Sequence, residues 1–193
     1  MRLFNLLKKN TEGATILEFA IVAPALFLLL VGFIEVGMIL FVNTALEGAT
    51  NIGARIGQTG DSQGNGQGNG VSRDTYIRNQ IYNYSGGFLD PASLTITMLT
   101  YNDFSDIGQP EPCISPAAPP CPGTPGVNFI DINGNGIWDA DMGQAGAGGS
   151  GSVVLYRVSY PWHLFTPLLR NIMGDSNGIY TITAVAPVRN EPF

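Results

Sequence analysis

Apolar positions are distributed unevenly along this chain. From Phe19 to Val42, 24 residues pass with Glu35 as the only ionisable group. A helix of that length rises about 36 Å, enough to cross a hydrocarbon core about 30 Å thick. Beyond it the pattern becomes amphipathic. In "NTALEGATNIGARIGQTG", Ala45, Ala49, Ile52 and Ile56 recur at spacings of three or four. This predicts an extension of the same helix, ending near Gly57 or Gly60, with one apolar stripe packed on a sheet or on neighbouring subunits.

The repeat "QGNGQGNG", residues 63–70, opposes helix and strand alike and predicts a loop. Ser72 is a good N-cap for a short helix over "SRDTYIRNQIYNY" that carries Ile77 and Ile81 on one face and stops at Gly86 and Gly87. Three strands follow, at 93–101, 152–160 and 179–188. The first alternates Leu94, Ile96 and Met98 against threonines, the second is rich in β-branched and aromatic residues, and Pro187 places the end of the last at an edge or past the sheet. Between the last two, residues 166–173 suit a short covering helix with Pro167 in its first turn. The class is α+β: a long N-terminal helix followed by a small antiparallel sheet.

Charge adds direction to this outline. Arg2, Lys8 and Lys9 against Glu12 give residues 1–13 a net +2, whereas the other 180 residues carry six arginines, no lysine and 14 acids, a net −8. The positive-inside rule keeps the short leader in the cytoplasm and puts the acidic remainder outside, as a single-pass protein. The same acidity excludes nucleic acid as a partner, since phosphates ask for a basic patch.

Three readings compete for the N-terminal segment: a cleaved secretory signal, a plain membrane anchor, and a prepilin-type leader with its helix. The apolar run is longer than a signal's, and "FVNTALEG" is a poor cleavage box. An anchor explains the hydrophobicity but not "G ATIL EF", in which Gly13 is followed by four residues and then Glu18 and Phe19. That arrangement resembles the processing site of type IV pilins, most closely the Flp and TadE-like branch. The resemblance implies cleavage between Gly13 and Ala14 by prepilin peptidase, after which Glu18 is the fifth mature residue and neutralises the new amino terminus of a neighbouring subunit. A paired carboxylate and ammonium each lower the cost of burying the other. The bland alternative is that Glu18 is a solvated flank.

Glu35, in "GFIEVGMILF", is the second anomaly. Its Glu-x-Gly setting resembles that of TadE-like proteins and implies a helix-packing or assembly contact, with Gly32 and Gly37 permitting close approach. Snorkelling toward the outer leaflet is the other reading. Pro24 is expected to kink or loosen the helix.

Two loops carry candidate chemistry. In "DINGNGIWDAD", Asp131, Asn133, Asn135, the Ile137 carbonyl, Asp139 and Asp141 offer hard oxygen ligands at a spacing that suits Ca2+, with Gly136 at the sharp turn. Met142 stands at the twelfth position, where a bidentate glutamate is usual, so affinity is expected at the weak end, on the order of 0.1 to 1 mM. Plain Asn-Gly turns need no ion. In "CISPAAPPC", Cys113 and Cys121 enclose a proline-rich loop on the oxidising side and predict a local disulfide. His163 is the sole histidine, in the packing environment "YPWHLF", and no nucleophile elbow, phosphate loop or zinc spacing occurs, so an enzyme is not expected.

"AVAPVRNEPF" resembles the closing segment of many TadE-like proteins, with Arg189 and Glu191 candidates for a terminal ion pair. Together with "ARIGQTG" and the N-terminal motif, it identifies the chain as resembling a TadE-like minor pilin of a tight-adherence system. The implied organisation is a cytoplasmic leader over 1–13, a transmembrane and assembly helix with its extension over 14–60, and an extracytoplasmic α+β domain over 61–193. The implied partners are prepilin peptidase, other Tad pilins and pseudopilins, the inner-membrane assembly platform and membrane lipid. An unprocessed, membrane-anchored scaffold or calcium-dependent surface protein is the alternative.

Overall fold

The structure, a computed structural model, describes residues 12–60, 72–85, 89–114 and 129–192, excluding the side chains of residues 12–14. Its elements run in the order α1 (Glu12–Gln58), α2 (Arg73–Tyr84), β1 (Thr95–Tyr101), β2 (Gln144–Ala145), β3 (Val153–His163), α3 (Pro167–Met173) and β4 (Ile179–Arg189). A long N-terminal helix followed by a small antiparallel sheet is the architecture expected; the sheet has four strands, one more than the three expected. The chain divides into two compact units, Met1–Phe41 with Trp162–Tyr180, and Val42–Pro161 with Thr181–Phe193.

In the first unit, α1 is long and apolar enough to cross a membrane. Pro24 lies inside it without ending it, although its missing N–H removes one rung of the helical ladder. Phe19, Ile21, Phe27, Leu29, Phe33 and Ile34 all face outward, the mark of a helix whose natural solvent is not water. The other part of this unit is the excursion between β3 and β4, which carries α3. Thr166 is the N-cap and Pro167 takes the first helical position, where its lack of an N–H costs nothing. The excursion closes at its base: Leu164 N–H donates to the Gly178 carbonyl at 3.0 Å, and the Asp175 carboxylate accepts from the N–H groups of Asn177 and Ile179, each at 2.8 Å. Those two donors hold the Asp175 carboxyl below its ordinary pKa.

In the second unit the sheet runs β2-β1-β3-β4. β1 is antiparallel to both neighbours, with Met98 opposite Tyr156 and Leu99 opposite Leu155 on β3. All three expected strands are present. Ile96 and Met98 point into the core, as their alternation with threonine predicts, and β4 alternates Ile182, Ala184 and Ala186 inward. β4 is an edge strand, which is what lets it hold Pro187. β2 is a two-residue edge that the hydropathy pattern does not announce.

The helical stripe is rotated relative to its prediction. Val42, Leu46, Ala49, Thr50 and Ala54 are the buried residues of α1 here, joined by Gly53 and Gly57, while Ala45, Ile52 and Ile56 are only partly buried. The glycines decide the face. A methyl group placed on Gly53 would come within 2.5 Å of Ile81 Cγ1, and one on Gly57 would fall on the Tyr156 hydroxyl. The helix therefore approaches α2 and β3 through backbone, a contact that apolar counting overlooks. α2 is capped by Ser72 and buries Ile77 and Ile81, as expected. Its Arg73 donates to the carbonyls of Gly57 and Gly148, and its Arg78 donates to that of Ile96 at 2.5 Å.

The C-terminal segment is built into this unit. Asn190 is buried and donates through Nδ2 to the Ala147 and Gly149 carbonyls at 3.0 and 2.9 Å, and Glu191 N–H donates to the Gln58 carbonyl at 2.9 Å. Arg189 bonds Asp103 at 3.1 Å and lies over the Phe104 ring; its ionic partner is thus Asp103 and not Glu191. The segments "ARIGQTG" and "AVAPVRNEPF" meet at the end of α1 through the Glu191–Gln58 bond.

Gly57→Ala is expected to destabilise the full chain by about 1–3 kcal/mol, because Tyr156 is fully buried and its ring has no room to retreat. Denaturant unfolding in detergent checks this, and Tyr156→Phe in the same background should recover part of the loss. An unchanged midpoint for Gly57→Ala would show that the ring yields.

Candidate functional site

A carboxylate in an apolar segment needs donors, and the chain supplies them to Glu35 from far away in sequence. Glu35 is fully buried. Its Oε1 accepts from Phe165 N–H at 2.7 Å and its Oε2 from Thr166 N–H at 2.9 Å, across 130 and 131 residues. The local sequence makes this geometry available: β3 has ended at His163, and Pro167 starts α3, so Phe165 and Thr166 present consecutive N–H groups outside any strand or helix ladder. Such charge-assisted bonds offset the loss of water around a buried carboxylate. Gly32 and Gly37 flank Glu35 on α1, and a side chain at either would meet nothing within 4 Å. That stretch of the helix remains open to close approach by a neighbour.

The structure does not bring the two candidate carboxylates of α1 together. Glu18 and Phe19 are exposed on α1, and Glu18 lies about 26 Å from Glu35 along the helix axis at about 1.5 Å per residue. Gly13 and Ala14 lie in helical backbone at the start of the described residues.

The loop of residues 131–141 belongs to the second unit. Asn133, Asn135, Asp139 and Asp141 line one open cleft with Leu99 and Gln144. The amide groups of Asn133 and Asn135 both donate to Asp139 Oδ2, at 2.6 and 2.5 Å. Asp131 turns instead to the loop's own backbone and accepts from the N–H groups of Gly134, Asn135 and Gly136 at 2.6 to 3.2 Å. Gly134 and Gly136 have φ of 77° and 79°, the left-handed region that glycine enters at no steric cost. The Ile137 N–H donates to Asn135 Oδ1 while its side chain is exposed. Asp141 accepts from the Tyr101 hydroxyl at 2.9 Å; burial first, and then this carboxylate, push the Tyr101 pKa well up, so the phenol stays a donor. Among the described residues, no three of His, Cys, Asp and Glu gather closely enough to hold an ion, so any cation site here depends on the two asparagine amides as well.

Glu111 is the residue that sequence reasoning missed. It is buried, and its carboxylate accepts from the N–H groups of Ile132, Asn133 and Asp139 at 2.8, 3.3 and 3.1 Å, while its carbonyl accepts from Trp138 Nε1 at 2.9 Å. It pins both ends of the loop. Its setting, "QPEPC", carries no periodicity or motif that would have pointed to it. Cys113 forms an isolated antiparallel bridge with Phe129, and no cysteine among the described residues is free. Cys121 lies outside the described residues. His163 is exposed, and Trp162 packs near Phe165 with ring centroids 6.5 Å apart.

With α1 and its carboxylates described, comparison with known proteins bears on this helix. Residues 13–55 match the family model for TadE-like protein. This is the family the sequence resembles, and the matched stretch holds Gly13, Glu18, Phe19 and Glu35. The match, confined to this helix, supports a Tad pilus-related protein. No curated protein and no solved structure matches the chain.

Glu35→Ala is expected to cost about 1–3 kcal/mol for each buried N–H it orphans. Glu111→Ala should do the same locally to the 131–139 loop. Hydrogen exchange on the full chain in detergent checks both: protection at Phe165 and Thr166 should fall in the first variant, and at Ile132 and Asp139 in the second. Unchanged protection would mean that other groups satisfy these amides.

Proposed function

We propose that this chain is a minor pilin or pseudopilin of a Tad/Flp adhesion pilus, cut between Gly13 and Ala14 by prepilin peptidase and taking part in pilus assembly. The observation that carries the reading is the TadE-like match beginning at Gly13 and running through a helix able to cross the membrane. Cleavage removes Arg2, Lys8 and Lys9 and creates an amine at Ala14. Glu18, exposed on the helix and five residues into the mature chain, is then placed to meet the amine of a neighbouring subunit as it leaves the bilayer. Glu35 acts within the chain through Phe165 and Thr166, while Gly32 and Gly37 beside it offer the smooth surface for another helix. In the membrane the chain is single-pass, with the basic leader in the cytoplasm and the second unit on the far side. Cys113 and Cys121 close the proline-rich loop as a disulfide, a staple for a segment with little core of its own.

Mass spectrometry of the N-terminus, from cells with and without the peptidase, tests this directly. The expected mature chain starts at Ala14 only when the peptidase is present, and Glu18→Ala should be cut normally yet fail to support pili. An intact leader in both strains would sink the processing step. Normal pili with Glu18→Ala would remove its assembly role.

A second property is favoured by the convergence of Asn133, Asn135 and Asp139 in one cleft with Asp141. We propose weak Ca2+ binding there, with the two asparagine side chains turned to present oxygen in place of the N–H groups they now direct at Asp139. Asp131 organises the turn that holds them. Calorimetry at millimolar calcium should show heat and a raised melting temperature, both reduced by Asp139→Ala; no heat and no shift would end the metal proposal.

A further inference from the structure

The excursion between β3 and β4 has two properties that do not belong together in water. Much of its backbone is closed on itself: the Leu164 carbonyl accepts from Arg170 Nε and Nη2 at 3.2 and 2.8 Å, Leu164 N–H meets Gly178, Asp175 gathers the returning turn, and the N–H groups of Phe165 and Thr166 are taken by Glu35. Its large apolar side chains, by contrast, face outward. Phe165, Leu168 and Ile172 are 52%, 51% and 69% exposed, and Met173 is exposed as well. Satisfied backbone under bare hydrocarbon is what lipid demands, because nothing in a bilayer interior can replace a missing hydrogen bond.

Position along α1 says where that surface lies. Thr15 to Glu35 is 20 residues, or about 30 Å of helix, which matches the hydrocarbon thickness. If the span begins near Thr15, Glu35 stands at the far boundary of the core, and the two bonds to Phe165 and Thr166 hold the excursion at that depth. The surface of α1 beside Glu35 is itself apolar and exposed, through Phe33, Ile34, Val36 and Met38, so the apolar side chains of the excursion continue the lipid-facing surface of the same unit. Trp162 and Arg170 supply the residue types that anchor at headgroup level. Residues 165–173 contain no acid.

We infer that residues 165–173 form a second membrane contact, a short interfacial element seated in the outer leaflet beside the span and held there by Glu35. The occupant of its apolar face is lipid. Glu35 is accordingly a positioning residue: it fixes the depth of a membrane-surface element through two backbone N–H groups and touches no ligand itself. This inference rests on the reading of α1 as a membrane span.

The test uses the full chain in vesicles of phosphatidylethanolamine and phosphatidylglycerol, with a photoreactive diazirine side chain in place of Ile172, Phe27 or Asn177 in turn. Mass spectrometry of the illuminated samples should find lipid adducts at positions 172 and 27, several-fold more abundant than at 177. Glu35→Gln, which keeps the size but can accept only one of the two bonds, should lower the adduct at 172 several-fold and leave that at 27 unchanged. Lipid adducts at 27 with only water-quenched product at 172 would overturn the inference while leaving the span intact. Crosslinks between chains at 172 would overturn it in favour of a second copy as the occupant, as would an adduct at 172 indifferent to Glu35→Gln for the positioning role. Absence of lipid at 27 would remove the span and the inference with it.

Discussion

A carboxylate that gives up water must be given donors in return, and that requirement shapes both units of this protein. Glu35 and Glu111 are its two buried acids among the described residues, and neither is paired with a cation through any bond described. Each instead gathers main-chain N–H groups from a segment distant in sequence. In the first unit this draws the end of β3 onto α1; in the second it holds a glycine-bearing loop to the residue before Pro112. The N–H group is the economical partner, because it is already fixed by the backbone and loses little freedom on bonding.

The remainder of the second unit depends on a different constraint, the absence of side chains at Gly53 and Gly57. α1 can lie against Ile81 and Tyr156 only where it has no Cβ, and Arg73 then reaches the carbonyl that this closeness exposes. The phenol of Tyr156 is pushed up to about 12 by its burial, so it remains neutral across the range in which the protein is handled. Asn190 and Glu191 complete the same corner from the opposite end of the chain.

These two kinds of contact explain what was legible in the sequence. Strands β1, β3 and β4, the Ser72 cap, α3 with Pro167 and the membrane-length helix were all read from period, cap and breaker signals, because those signals arise from local backbone chemistry. The buried face of α1 was read one step out of register, since glycine contributes nothing to an apolar count yet marks the closest packing. The partner of Glu35 was not legible at all: an N–H is carried by every residue except proline, so nothing in "FT" distinguishes the pair that binds a carboxylate. The same holds for Glu111, and for Arg189, whose partner Asp103 lies in a turn that has no charge pattern.

The 130-residue separation between Glu35 and Phe165 also orders events during synthesis. α1 is made early, while the amides that receive its carboxylate are made only after α2, β1 and β3. The unit is thus completed in retrograde fashion, by a late segment returning to an element long since made. A lesion that slows the folding of the intervening stretch would leave α1 formed but its unit unfinished, and its apparent fault would lie far from the residue that fails.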